Sequence, residues 1–78
     1  MKQRVKLIFP QSLIKEPVIF NMAKKHNVMP NIRRARVTES IGEMVLEIDG
    51  EAAALDAAIE EMRNQGVDVE PVEGDVLE

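Results

Sequence analysis

The chain has 78 residues, 45% of them hydrophobic, with a formal net charge of −4 and no cysteine. A chain of this length forms one domain that buries only about 60% of its unfolded surface, so its core is small. The missing cysteines exclude disulfides, thiol catalysis and iron–sulfur ligation within these residues. No apolar run approaches the roughly 20 residues that span a bilayer, and we expect a cytoplasmic protein without direct membrane insertion.

The charges are divided between the two halves of the chain. Residues 1–36 carry nine of the ten basic side chains, whereas residues 37–78 carry thirteen of the fourteen acids. The favoured interpretation is that the halves pair with each other as neighbouring strands and helices. The alternative is a basic patch for an acidic partner, because a charge split of this kind can signal nucleic-acid binding.

The first half predicts a strand and then a helix. Residues 3–9 alternate with period two, which is typical of a half-buried strand that Pro10 ends. Residues 16–26 predict a helix with Pro17 in its first turn, and Asn27 can take the left-handed conformation that ends such helices. The apolar face of this helix is predicted to include Val18, Ile19, Phe20, Met22, Ala23 and His26.

The second half predicts a hairpin, a helix and a last strand. Residues 31–38 and 43–49 alternate on either side of a short turn, so we expect an antiparallel hairpin in which Arg34 and Arg36 face acids across the ladder. Residues 52–65 predict a helix with Asp49 as a candidate N-terminal cap and Gly66 just past its end. Its buried stripe is predicted to be Leu55, Ala58, Ile59 and Met62. A strand from Val67 to Val72 follows, and Pro71 marks it as an edge strand.

The order βαββαβ predicts an α+β, ferredoxin-like sandwich with two helices on one face of an antiparallel sheet of order 4-1-3-2. We expect a single domain over residues 1–78, ordered over about 3–73, with a mobile acidic tail at 74–78.

Residues that carry catalytic or cofactor chemistry do not cluster in this sequence. His26 is the only histidine and has no carboxylate at catalytic spacing, so a helix-capping or surface role is favoured over catalysis. Glu60 and Glu61 are adjacent and predict a solvated helix face rather than a metal pair. RNA-binding domains of this topology stack bases on aromatic side chains, and Phe9 and Phe20 are the only aromatics. We therefore expect no enzyme activity, no cofactor, no metal and no nucleic-acid partner.

Four segments carry a family resemblance. They are the helix start Glu16-Pro17-Val18-Ile19, Asn31-Ile32 after that helix, the hairpin end Leu46-Glu47-Ile48-Asp49-Gly50 and the closing Gly66-Val67-Asp68-Val69. Together they resemble the NIL domain, the regulatory module at the end of the ATPase subunit of bacterial methionine ABC importers. The resemblance covers the chain from Val5 to Val72. It departs at Arg33, where the family signature has leucine.

The resemblance implies a ligand site. NIL domains of importers bind methionine at a dimer interface, and the functional asparagine of the family corresponds to Asn31. Ile32, Met29 and Val28 are then expected to supply apolar walls, and Arg33 places a cation where the family has an apolar wall. That cation could favour an acidic ligand or abolish methionine binding. Asn31 could instead be a turn residue that satisfies its own backbone.

Two functions therefore remain in competition. The leading hypothesis is a non-catalytic regulatory module that binds an amino acid, such as methionine, as a homodimer. The alternative is a dimerisation or docking domain without a ligand, associated with an ABC transporter or with an iron–sulfur ferredoxin. NIL modules also occur ahead of ferredoxin segments, and LIFPQSLIKEPVI is similar to that branch. The chain could be a stand-alone protein or a module cut from a longer one.

Overall fold

Four strands and two helices alternate in the order that the sequence predicts. The computed structural model describes residues 1–72. The elements are β1 (Lys2–Phe9), α1 (Val18–His26), β2 (Met29–Val37), β3 (Gly42–Asp49), α2 (Ala52–Asn64) and β4 (Asp68–Pro71), with a short 3-10 helix at Gln11–Leu13. The sheet order is β2-β3-β1-β4 with every pair antiparallel, which confirms the predicted α+β topology. The predicted acidic tail lies outside the described residues.

The core forms between one face of the sheet and both helices. Alternate residues of the two central strands point into it, and Val5, Leu7, Leu46 and Ile48 are at most 1% exposed. From α2, all four residues of the predicted stripe are buried. Burying side chains of this size contributes about 1.5–3 kcal/mol each relative to leaving them exposed. This cluster therefore provides most of the hydrophobic stabilisation of this short chain.

The C-terminal ends of both helices follow the local chemistry of the sequence. Asn27 takes the left-handed conformation (φ 56°, ψ 47°), and its N–H donates to the carbonyl of Ala23. Gly66 follows α2 with φ 106°. Helix α1 begins at Val18 rather than at residue 16, because Pro17 (φ −80°, ψ 58°) lies outside the helical region.

The expected cap of α2 is wrong. The residue preceding the helix is Glu51, whose side chain makes no capping hydrogen bond. Asp49 ends β3 instead, and its carboxylate lies 3.5 Å from the N-terminal ammonium of Met1. The carboxylate of Asp49 therefore pairs with the N-terminal ammonium rather than with the first N–H groups of α2. The local sequence around the helix does not show this contact.

Strand β2 is the most exposed element of the fold. It begins at Met29, earlier than predicted, and pairs only with β3 among the described strands. Its ladder shifts between Ile32 and Arg34, so Arg33 is the extra residue of a β-bulge. Every residue of β2 except Pro30 is exposed, because the two helices cover the sheet elsewhere. The β2 edge is therefore the part of the sheet that is most accessible to a partner.

Candidate functional site

An apolar groove opens where α1 begins and the β2–β3 hairpin ends. Its volume is about 140 Å³, and its apolar lining includes Phe9, Ile14, Val18, Phe20, Val37 and Met44. Glu16 is the charged residue among its lining residues. This volume is smaller than the roughly 300–1,000 Å³ of sites for drug-sized ligands. The groove therefore matches the side chain of a single amino acid.

Phe20 forms one exposed wall of this groove. Its side chain is 65% exposed, so the prediction that it belongs to the core face of α1 is wrong. The ammonium of Lys24, one turn later, lies 5.9 Å from the ring centroid and covers one face of the ring. The groove was not predicted from the sequence. The available signal was Ile14, an apolar residue in the loop between Pro10 and Pro17.

An apolar strip on β2 extends from the groove. Ile32 faces the helix side of the sheet opposite Leu46, and Val37 faces the same side opposite Gly42. Both side chains are 55% exposed. Ala35 lies between them on the same face, opposite Met44. Phe20, Ile32, Ala35 and Val37 are called the edge strip below.

The backbone of β2 also has an open side. The N–H of Thr38 donates to the carbonyl of Ile41 at 2.7 Å and closes a two-residue hairpin loop, Glu39-Ser40. Because hydrogen bonding alternates along an antiparallel ladder, Arg36 then bonds to β3 whereas Ala35 and Val37 direct their N–H and C=O groups away from it. An open edge with these groups is a template for pairing with another strand.

The five site residues that the resemblance implies do not lie on one surface. Val28 is 7% exposed and belongs to the core. Met29 and Asn31 face the outer side of the sheet, opposite Asp49 and Glu47, and Met29 is 72% exposed. Ile32 faces the helix side within the edge strip, and Arg33 occupies the bulge. Within one copy, only Ile32 points to the side where the groove opens.

The outer face of the sheet carries charges in stripes of alternating sign. Arg4 donates to Glu47 at 3.2 Å and is only 9% exposed at its side chain. Arg34 stands opposite Val45 and Arg36 opposite Glu43. Within residues 1–72, however, neither of these two guanidiniums lies in an ion pair. The prediction that the arginines of β2 face acids across the ladder is confirmed for Arg36 and wrong for Arg34, and an ion pair on this face joins Arg4 of β1 to Glu47.

His26 and Glu61 link the two helices. The carboxylate of Glu61 lies 2.9 Å from Nε2 of His26 and 2.8 Å from Nζ of Lys25. Contact with Lys25 first, and with His26 second, holds the pKa of Glu61 below its ordinary value. The sequence analysis missed this carboxylate because it is 35 positions away, and Glu61 is half-buried rather than fully solvated. No side chain with a nucleophilic hydroxyl or thiol takes part in this contact. We therefore interpret the contact as a structural one that supports the packing of the two helices.

No three His, Cys, Asp or Glu side chains of residues 1–72 come together as metal ligands. Over the same residues, no helix combines the length and the apolarity that crossing a membrane requires.

Comparisons with known proteins place this chain in a family. No curated protein matched its sequence significantly. Among solved structures, it is similar to the C-terminal domain of an ABC transporter ATP-binding protein from Enterococcus faecalis. The identity is 23% and the TM-score 0.80, over 94% of this chain and 86% of that one. At that identity the likeness establishes the fold alone. The model of the NIL domain family matches residues 3–71, and the chain therefore belongs to the NIL domain family.

Proposed function

We propose that this chain is a non-catalytic regulatory module that pairs with a second copy through β2 and binds a small apolar amino acid, such as methionine, in the groove beside that contact. The carrying observation is the edge strip, which joins the groove to an open sheet edge on the same face. Regulation of an ABC transporter ATPase is the setting that its family and its Enterococcus faecalis structural neighbour suggest.

A two-fold axis at Ala35 gives a consistent pairing of the two edges. Ala35 then bonds to Ala35 of the second copy through the outward N–H and C=O groups. Past the bulge, Ile32 of each copy comes opposite Val37 of the other, and both face the helix side. Cross-strand apolar pairs of this kind contribute roughly 0.2–1 kcal/mol each. The exposed side chains of Ile32 and Val37 are thereby covered.

The same pairing brings Ile32 of the second copy, on the helix side, beside Val37 in the lining of the groove. Asn31 of the second copy stays on the outer side of the sheet, away from the groove. Glu16, from the groove itself, offers a carboxylate for the ligand ammonium. The site is thus shared between two copies, with the groove and the Glu16 carboxylate from one and an added apolar wall, Ile32, from the other.

Calorimetric titration of L-methionine into the dimeric protein tests this function. Ile32→Ala should weaken binding by about 1–2 kcal/mol, because the ligand side chain loses part of an apolar wall. Asn64→Ala, at an exposed position on the last turn of α2, is the control and should bind like the wild type. Arg33→Leu restores the family residue and should bind methionine at least as tightly as the wild type.

Absence of binding by both the wild type and Arg33→Leu at millimolar methionine would contradict the ligand-binding function. The chain would then act as a dimerisation or docking domain, for a transporter or for an iron–sulfur ferredoxin.

A further inference from the structure

The arginines of β2 oppose the pairing that its apolar side chains favour. Arg34 and Arg36 face the outer side of the sheet, opposite Val45 and Glu43 respectively. With the two-fold axis at Ala35, Arg34 of each copy stands directly across the ladder from Arg36 of the other. Pairs that lack mutual backbone hydrogen bonds bring side chains closer together, and like charges directly opposite each other are destabilising. Four guanidiniums therefore converge around the axis.

The protein's own acids compensate this charge only in part. Lys6 lies in the same cross-strand row as Arg34, on the other side of Val45. These three residues, with Arg36 and Glu43, border a shallow depression of about 150 Å³. Glu43 is the single acid in that lining, and Glu47 in the next row is held by Arg4. Each copy thus contributes three cations and one carboxylate to this part of the outer face.

We propose that the outer face at the β2 edge binds a multivalent oxyanion of the phosphate class, held by Arg34 and Arg36 of both copies, and that this anion controls dimerisation. The proposal rests on the dimer of the proposed function but uses the opposite face of the sheet from the amino-acid groove. Guanidinium groups present planar paired donors that match phosphate oxygens. Val45 provides an apolar floor between the cations, so the anion is held at the rim.

Sedimentation equilibrium tests the proposal. The dimer dissociation constant is measured in sodium chloride and at equal ionic strength with inorganic diphosphate or with ATP. At an anion concentration of about ten times its own dissociation constant, mass action should tighten the dimer about tenfold. An effect of both anions identifies the phosphate group itself as the ligand, whereas an effect of ATP alone assigns the site to a nucleotide.

The double variant Arg34→Gln/Arg36→Gln removes the repulsion and the anion site together. It should dimerise in chloride at least as tightly as the wild type does with diphosphate, and diphosphate should then have no effect. Lys2→Gln/Lys15→Gln makes the same change in net charge away from the site and should keep the wild-type response. A wild-type dimer whose strength is the same with all anions would overturn the anion site and leave the dimer standing. A wild type that stays monomeric under every condition would overturn both proposals.

Discussion

Glu61 contributes to the packing of the two helices through its contacts with Lys25 and His26. The pKa of Glu61 is lowered in the folded state, so folding favours the ionised carboxylate over the protonated form. The resulting stability is present above the ordinary pKa of 4.5 and is lost as the pH falls through the lower folded value.

We therefore expect the wild-type melting temperature to fall below pH 4.5 more steeply than that of Glu61→Gln, which cannot titrate. Glu60→Gln is the matched control, because Glu60 is the exposed neighbour and should leave the wild-type profile unchanged. Thermal melts followed by circular dichroism over this pH range measure the difference. Parallel profiles for the wild type and Glu61→Gln would show that the contact does not persist in solution.

Substitutions of Phe20 and Met22, which both lie on α1, distinguish an effect on ligand binding from an effect on stability. Phe20 is 65% exposed, whereas Met22 is 1% exposed. Phe20→Ala should change the free energy of unfolding by no more than about 0.5 kcal/mol while weakening methionine binding. Met22→Ala should cost about 2–5 kcal/mol of unfolding free energy. Urea denaturation and calorimetry measure the two effects, and a large loss of stability in Phe20→Ala would mean that this ring belongs to the core.

At the scale of an element, the alternation of β3 determines which of its side chains support the fold. Leu46→Ala should cost about 2–5 kcal/mol of unfolding free energy, because Leu46 is fully buried between sheet and helices. Val45→Ala, its neighbour on the outer face, should cost clearly less. Equal losses of unfolding free energy for the two variants in urea denaturation would contradict this assignment of the buried and outer faces of β3.

Local patterns in the sequence predicted these elements because each central strand has one polar and one apolar face. The alternation of β1 and β3 and the buried stripe of α2 could therefore be predicted from the sequence. The helix ends at Asn27 and Gly66 could be predicted as well. Strand β2 was harder. Its bulge at Arg33 depends on the partner strand, and its exposure on both faces depends on how far the helices extend over the sheet. A helical periodicity also could not reveal that Phe20 lies beyond the covered part of the sheet.

At the scale of the whole molecule, the resemblance named candidate site residues but could not show how the fold arranges them. The resemblance pointed to residues 28–33, and these divide among the core, the outer face and the helix side. The groove comes from the loop before α1 and from the far end of the hairpin, which are distant in sequence. Bringing Ile32 to that groove requires a second copy, and no pattern within one chain contains that geometry.

Amide hydrogen exchange across the β2 edge tests the central claim, that a second copy pairs with this strand at Ala35. In dilute protein, the amides of Ala35 and Val37 should exchange fast, whereas that of Arg36, which is bonded to β3, should be protected. At concentrations where sedimentation gives the dimer mass, Ala35 and Val37 should become protected as well. In the Ala35→Pro variant, which lacks the pairing N–H, Val37 should remain unprotected and the mass should stay that of one chain. A wild-type dimer in which the Ala35 and Val37 amides still exchange fast would contradict the account.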